Sequence, residues 1–156
     1  MQEIVLQPIG YVRTDRDEVK DDYWGSVISV IELDETRFPV DVVAGLSDFS
    51  HLEVIFHMNK VNPAKIEMKA RHPRNNPDWP LVGIFAQRAK GRPNQLGISR
   101  CKIVKVEGLR VTVQALDAID GTPVLDIKPY LREFGPQGET EQPEWASALM
   151  KEYYAD

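Results

Sequence analysis

The sequence predicts a mainly β protein: an antiparallel β-barrel, closed or partly closed, with long irregular loops and a short C-terminal helix. Runs of alternating apolar and polar residues, rich in β-branched side chains, recur along the chain. Tight turns and irregular loops join them, with little helix between, and one pair reads as a hairpin around Glu107-Gly108. Such strands pack best as a sheet that curls on itself. A doubly wound parallel sheet needs alternating strands and helices with a GxGxxG turn, and the chain has neither.

Ile4–Arg13 (IVLQPIGYVR) alternates and reads as a strand kinked at Pro8-Ile9-Gly10. A polar, acidic loop runs through Asp22, and Ser26–Leu33 (SVISVIEL) is the second strand. Val40–Leu46 is a short helix or turn whose Gly45 suits a C-terminal cap. His51–Met58 (HLEVIFHM) is apolar on both faces, which predicts a central strand. Asn62–Pro80 carries Pro63, Pro73, Pro77 and Pro80 among charges and reads as a long surface loop, a kind that is usually functional or mobile. Val82–Arg88 is a fourth strand, Ile98–Val106 and Leu109–Leu116 form the hairpin, and Val124–Ile127 is the last strand. These elements make residues 1–135 one barrel domain. Residues 136–156 form a tail punctuated by Pro136-Gln137-Gly138 and Gln142-Pro143, with Trp145–Tyr154 as a helix. Trp145, Leu149 and Tyr153 fall at i, i+4 and i+8, an apolar stripe that must dock on the body or on a second subunit.

Composition narrows the function. The 156 residues carry a formal net charge of −5, which argues against broad, non-specific nucleic-acid binding through phosphate neutralisation. Arg71, Arg74, Arg88, Lys90, Arg92 and Arg100 nevertheless crowd one region, and Asp15, Asp17, Glu18, Asp21 and Asp22 another. A mixed surface or a local basic strip both fit. The single cysteine, Cys101, opens an alternating strand and reads as a small buried hydrophobe in a reducing compartment. The N-terminus has no signal-peptide pattern, and no apolar run approaches the roughly 20 residues of a membrane span. A soluble, cytoplasmic protein without membrane association is expected. His51, His57 and His72 have no clustered carboxylates beside them, so no metal is expected.

Two segments carry candidate chemistry. Val82–Ser99 (VGIFAQRAKGRPNQLGIS) and Asp120–Tyr130 (DGTPVLDIKPY) place Gly, Pro, Asn and charge inside runs that are otherwise strand-like. In the first, Gly91 and Gly97 allow close backbone approach, and exposed N–H groups beside Arg88 and Arg92 suit a carboxylate or phosphate. A wide strand connection capped by polar residues explains the same composition. In the second, Asp120-Gly121-Thr122-Pro123 is a good turn in its own right. Asp126 and Lys128 flank Ile127 on one face of a strand, where they either orient a substrate and assist proton transfer or form a surface ion pair. Tyr23-Trp24-Gly25 either stacks on a flat ring such as adenine or covers a core.

Taken in order, Ile9-Gly10-Tyr11-Val12-Arg13-Thr14, Gly45-Leu46-Ser47-Asp48-Phe49-Ser50-His51 and the two segments resemble the TsaA-like, or TrmO-like, family. The resemblance runs from about Pro8 to Tyr130, and DGTPVLDIKPY is its most specific piece. It implies an S-adenosylmethionine-dependent methyltransferase on a β-barrel, usually a homodimer, which methylates threonylcarbamoyl-modified adenosine beside a tRNA anticodon. Carried over motif by motif, cofactor contacts fall on Trp24, Gly25, Ser26, Met58, Asn59, Arg88, Ile98, Asp117, Asp120, Gly121 and Thr122. Asp126, Lys128 and Tyr130 become catalytic residues, and Arg92 and Asn94 hold the substrate. Where the family's loop reads RSPxRPNPIGLS, Ala89, Lys90 and Gly91 replace Ser-Pro-x, and Gln95 replaces a proline. These changes fall on the substrate side and bear on tRNA specificity. A non-catalytic binder of S-adenosylmethionine or an adenosine ligand, and a methyltransferase with another small substrate, are the alternatives.

Overall fold

The computed structural model describes residues 1–156. Its eight strands are β1 (Gly10–Arg13), β2 (Ile28–Leu33), β3 (His51–His57), β4 (Ala70–Arg71), β5 (Val82–Gly83), β6 (Leu96–Glu107), β7 (Arg110–Gln114) and β8 (Pro123–Pro129). Six of them close an antiparallel barrel in the order β1-β2-β7-β6-β3-β8, and β4 and β5 form a separate two-stranded sheet. One short helix, α1 (Glu144–Leu149), follows in the tail. The predicted fold class is therefore the observed one.

Alternation sets the inside of the barrel, because successive side chains point to opposite faces of a strand. Val12, Ile31, Leu52, Val54, Phe56, Cys101, Val111, Val113 and Val124 all point inward and form one buried cluster. Strand β6 closes the barrel. Its first half pairs with β3 from His57↔Leu96 to His51↔Lys102. Its second half pairs with β7 from Lys102↔Gln114 to Glu107↔Arg110, with an irregularity between Ile103 and Lys105. The hairpin turn holds Gly108 at φ +58°, where glycine is favoured.

Several predicted boundaries need correction. β1 starts only at Gly10, and Met1–Gln7 lies exposed with no regular structure, Ile4 and Val5 being 82% and 85% accessible. Alternation there finds no neighbouring strand to pair with. β3 is paired on both edges but buries one face only: Leu52, Val54 and Phe56 point in, while His51 is exposed and His57 half-exposed. Of Val82–Arg88 only Val82–Gly83 is strand; Ile84–Ala86 is a 3-10 turn that buries Ile84. The loop from Asn62 to Pro80 contains 3-10 turns at Pro63–Lys65 and Pro73–Asn75 and the strand β4. The tail helix ends at Leu149 and continues as turns through Tyr154.

β1 requires a glycine at its first position. A Cβ on Gly10 would overlap the Glu32 carbonyl oxygen across the β1–β2 ladder. Gly10→Ala should lower unfolding free energy by about 1–3 kcal/mol, the range for overpacked sites, read as a lower urea midpoint at unchanged slope. A midpoint equal to wild type would show that β1 is free to shift.

Candidate functional site

The β3, β6 and β8 registers place two rows of side chains side by side on the outer face of the barrel. Glu53 lies opposite both Arg100 and Lys128, and Ile55 opposite both Ile98 and Asp126. Asp126 and Lys128 are exposed on this face. Arg100 bridges Glu53 at 3.6 Å, and its guanidinium lies 4.8 Å from the Tyr130 ring centroid. Tyr130 follows β8 and donates its N–H to the His51 carbonyl. The sequence-predicted trio Asp126, Lys128 and Tyr130 thus sits beside a row of charge on an open surface, while Arg88 donates to the Ile98 carbonyl of β6 at 2.6 Å, with β3 between it and β8.

Around the edge of that face is a corner where β7 stops short of the first half of β6. Here Trp24, Gly25, Asp117 and the tail meet. The N–H groups of Tyr23, Trp24 and Gly25 donate to the carbonyls of Glu152, Tyr153 and Ala155. Tyr153 donates its hydroxyl to Asp117 Oδ2, whereas Asp117 Oδ1 is buried with no partner. Burial first, and then the Asp117 carboxylate, push the Tyr153 phenol well above its usual range, so it remains a donor at every physiological pH. Arg88, bonded to the Ile98 carbonyl, acts in the opposite direction on both Tyr153 and Tyr154. The predicted stripe therefore docks on the chain's own body through Tyr153.

Trp24 is 3% exposed, and the Arg16 guanidinium covers its ring at 3.6 Å from the centroid. Arg16 also donates to the Tyr23 and Asp22 carbonyls. The indole is a covered wall, with no free face for stacking a ring. Ser26 is exposed beside it.

The remaining sequence-predicted positions lie elsewhere, and several of their polar groups bond within the fold. Asp120 accepts from the Thr14 N–H, Gly121 at φ +81° donates to Val12, and Thr122 donates its hydroxyl to Ile119. That turn locks β8 onto β1. Met58 and Asn59 follow β3 at its far end, where Met58 packs against the core and Asn59 is exposed. Arg92 donates to the Gln87 carbonyl, and Asn94 is exposed at the loop tip. Gln95 stands at φ +52° and donates its N–H to Arg92 and its side-chain amide to Met58. A proline there can adopt neither that φ nor that first bond, so this loop takes a shape that the family's proline forbids.

Sequence reasoning missed two features. The acidic and basic crowds meet: Arg74 makes two bonds to the Asp22 carboxylate and Lys90 bridges Asp21 at 3.0 Å. Their opposite signs were the available signal. The second is Tyr153 on Asp117, which no local pattern announces. No group of three His, Cys, Asp or Glu is arranged to hold a metal ion, and no helix is long and apolar enough to cross a membrane.

Comparison with known proteins agrees with this fold. The model of the family described as the tRNA-methyltransferase O N-terminal domain matches residues 21–135. The tRNA (adenine(37)-N6)-methyltransferase of Homo sapiens is 38% identical over 104 residues, covering 66% of this chain and 23% of that protein. A probable S-adenosyl-L-methionine-binding protein of Methanothermobacter thermautotrophicus is 31% identical over 140 residues, covering 87% of this chain and 96% of that one. The crystal structure of TrmO from Pseudomonas aeruginosa superposes with a TM-score of 0.70 at 26% identity, over 90% of this chain and 62% of that one. The chain thus spans less than a quarter of the human relative's length.

Cys101 lies against this corner, and burial, with Asp117 second, pushes its thiol up to about 12 from an ordinary 9.0. The folded chain keeps a proton that the unfolded chain releases above pH 9.0, so this contribution to stability is whole below that value and falls as pH rises toward 12. In urea titrations across that window, Cys101→Ala should lose less of its midpoint than wild type. Parallel losses would show that the thiol titrates normally.

Proposed function

Because the chain belongs to the tRNA-methyltransferase O N-terminal domain family, we propose that it is an S-adenosylmethionine-dependent methyltransferase acting on tRNA. Threonylcarbamoyl-modified adenosine beside the anticodon is the acceptor in this reading. The observation that carries it is the corner of Asp117, Gly25 and Arg88. A buried carboxylate with one oxygen unpartnered suits sugar hydroxyls, consecutive main-chain N–H groups suit the acceptors of a purine, and a guanidinium suits an amino-acid carboxylate. Those donors and acceptors fit an adenosine bearing an amino-acid tail.

Gly25, Ser26, Ile98 and Asp117 then surround the nucleoside, with the main chain of the covered Trp24 behind them, and Arg88 holds the tail. Met58, Asn59, Asp120, Gly121 and Thr122 support the site from the strand ends. When bound, S-adenosylmethionine supplies an electrophilic methyl group on a sulfonium. The chain's own task is alignment of the acceptor, and positioning accounts for most of such a rate enhancement. Asp126, Lys128 and Tyr130, exposed or half-exposed on the outer face, orient the acceptor and take up its proton, while Arg92 and Asn94 hold the nucleotide around it. Residues 1–135 act as the catalytic barrel and residues 136–156 as its tail. A cytoplasmic homodimer completes the reading, in which a second copy covers the exposed Ile4, Val5 and Leu6.

A second reading is a non-catalytic binder of S-adenosylmethionine. It is favoured by the name of the archaeal relative, which is nearly the length of its match to this chain.

Calorimetry with S-adenosylmethionine and mass spectrometry of nucleosides from treated tRNA separate the two. Lys128→Ala and Tyr130→Phe should each cut methyl transfer by about 10–100-fold at near-normal cofactor affinity. Arg88→Ala should weaken cofactor binding by about 1–3 kcal/mol, the cost of a lost charge-assisted bond. Binding without methylation of any RNA supports the binder, and binding indifferent to Arg88 removes that residue from the site.

A further inference from the structure

We propose that the C-terminal segment Glu152–Ala155 is a displaceable strap that occupies the cofactor's corner by imitating its polar groups, and that it leaves when S-adenosylmethionine enters. The proposal rests on the cofactor reading above and adds a competitor that is part of the chain.

The strap uses the groups that this reading gives to the cofactor. Carbonyls of Glu152, Tyr153 and Ala155 take the N–H groups of Tyr23, Trp24 and Gly25. The Tyr153 hydroxyl takes one oxygen of Asp117, as a sugar hydroxyl would. Gly25 has no side chain because there is no room for one: a Cβ would overlap the Tyr154 carbonyl oxygen. Two ligands cannot use these groups together. Strap and cofactor are therefore alternatives.

The strap's hold is incomplete and its anchorage is slight. Asp117 Oδ1 stays buried without a partner, so the phenol satisfies half of what a pair of neighbouring sugar hydroxyls would satisfy in full. An unpaired buried acceptor favours exchange for a ligand that pairs it. Behind the strap, α1 buries no residue, and residues 136–143 form no helix or strand. Within the segment only Tyr153 and Ala155 are half-buried, and Tyr154 is exposed. Segments with few buried apolar contacts open most readily. A site that is open for only part of the time binds its ligand more weakly by that fraction.

The test uses the full chain. Hydrogen exchange with and without saturating S-adenosylmethionine should show faster exchange in peptides covering residues 150–156 once the cofactor is bound, while the barrel strands are unchanged or slower. Tyr153→Phe, which keeps the ring and drops the bond to Asp117, should bind S-adenosylmethionine about 3- to 10-fold more tightly by calorimetry. Tail exchange that slows or stays constant on binding overturns the proposal and makes the segment a fixed wall of the site. Equal or weaker affinity in a Tyr153→Phe protein that melts like wild type also overturns it. If neither protein binds S-adenosylmethionine, the cofactor reading falls and the strap with it; if both bind equally, only the strap falls.

Discussion

Everything in this molecule depends on one strand having two partners. β6 is 12 residues long, and β3 and β7 divide its length between them, meeting at Lys102. β7 lies on one edge of β6 and β3 on the other, offset along its length, and closing a sheet into a barrel requires such a stagger. The same division leaves a corner uncovered where β7 ends, because Ala115 at φ +69° turns the chain away after Gln114. Asp117, two residues on, carries its carboxylate into that corner. Closure of the fold and creation of a polar recess are therefore one event, and a sheet that paired evenly along β6 would have no recess.

The recess explains how much of the chain was legible. The hairpin at Glu107-Gly108 could be read because alternation on both sides and a turn glycine agree within a few residues. β1, β2 and β3 could be read for the same reason, each burying alternate positions, whereas β8 buries only Val124. Ile4–Ile9 alternates as well, yet alternation says only that a segment could pair. Val82–Arg88 failed differently: Gln87 is buried and its amide bridges the Arg71 and Val82 carbonyls, so a tertiary bond stops the strand after two residues. In the tail, α1 has half-buried Trp145, Ala146 and Leu149 but no fully buried residue, and the docking of Tyr153 accompanies the turns that follow. Pairings across long separations, such as Arg74 with Asp22 or Tyr153 with Asp117, leave no periodic trace.

Of the site, the sequence supplied residue types and the family resemblance supplied their grouping. The tail links Trp24 and Gly25 to Asp117, Arg88 bonds to Ile98 on β6, and Asp126 and Lys128 stand on β8 across β3 from them. The structure also shows why motif identity alone is insufficient. Trp24 is walled by Arg16, and the Asp120–Thr122 turn spends its polar groups on β1. The same residue types serve the fold at one position and remain available for chemistry at another. Only the accounting of each donor and acceptor tells them apart.

That accounting bears on how the chain would hold RNA. Of the basic crowd between Arg71 and Arg100, Arg74 and Lys90 are already paired with Asp22 and Asp21, and Arg100 lies against Glu53. The acidic loop thus occupies cations that phosphate would otherwise neutralise. Arg88 and Arg92 donate only to main-chain carbonyls and keep their charge uncompensated by any carboxylate. Affinity from counterion release scales with the number of phosphates met, each contributing close to one unit of salt slope. A chain of net charge −5 with its strip half paired meets few of them. Discrimination by this barrel must then come from the shape of the loop that Gln95 sets and from the polar corner behind it, with the long-range field left a minor part.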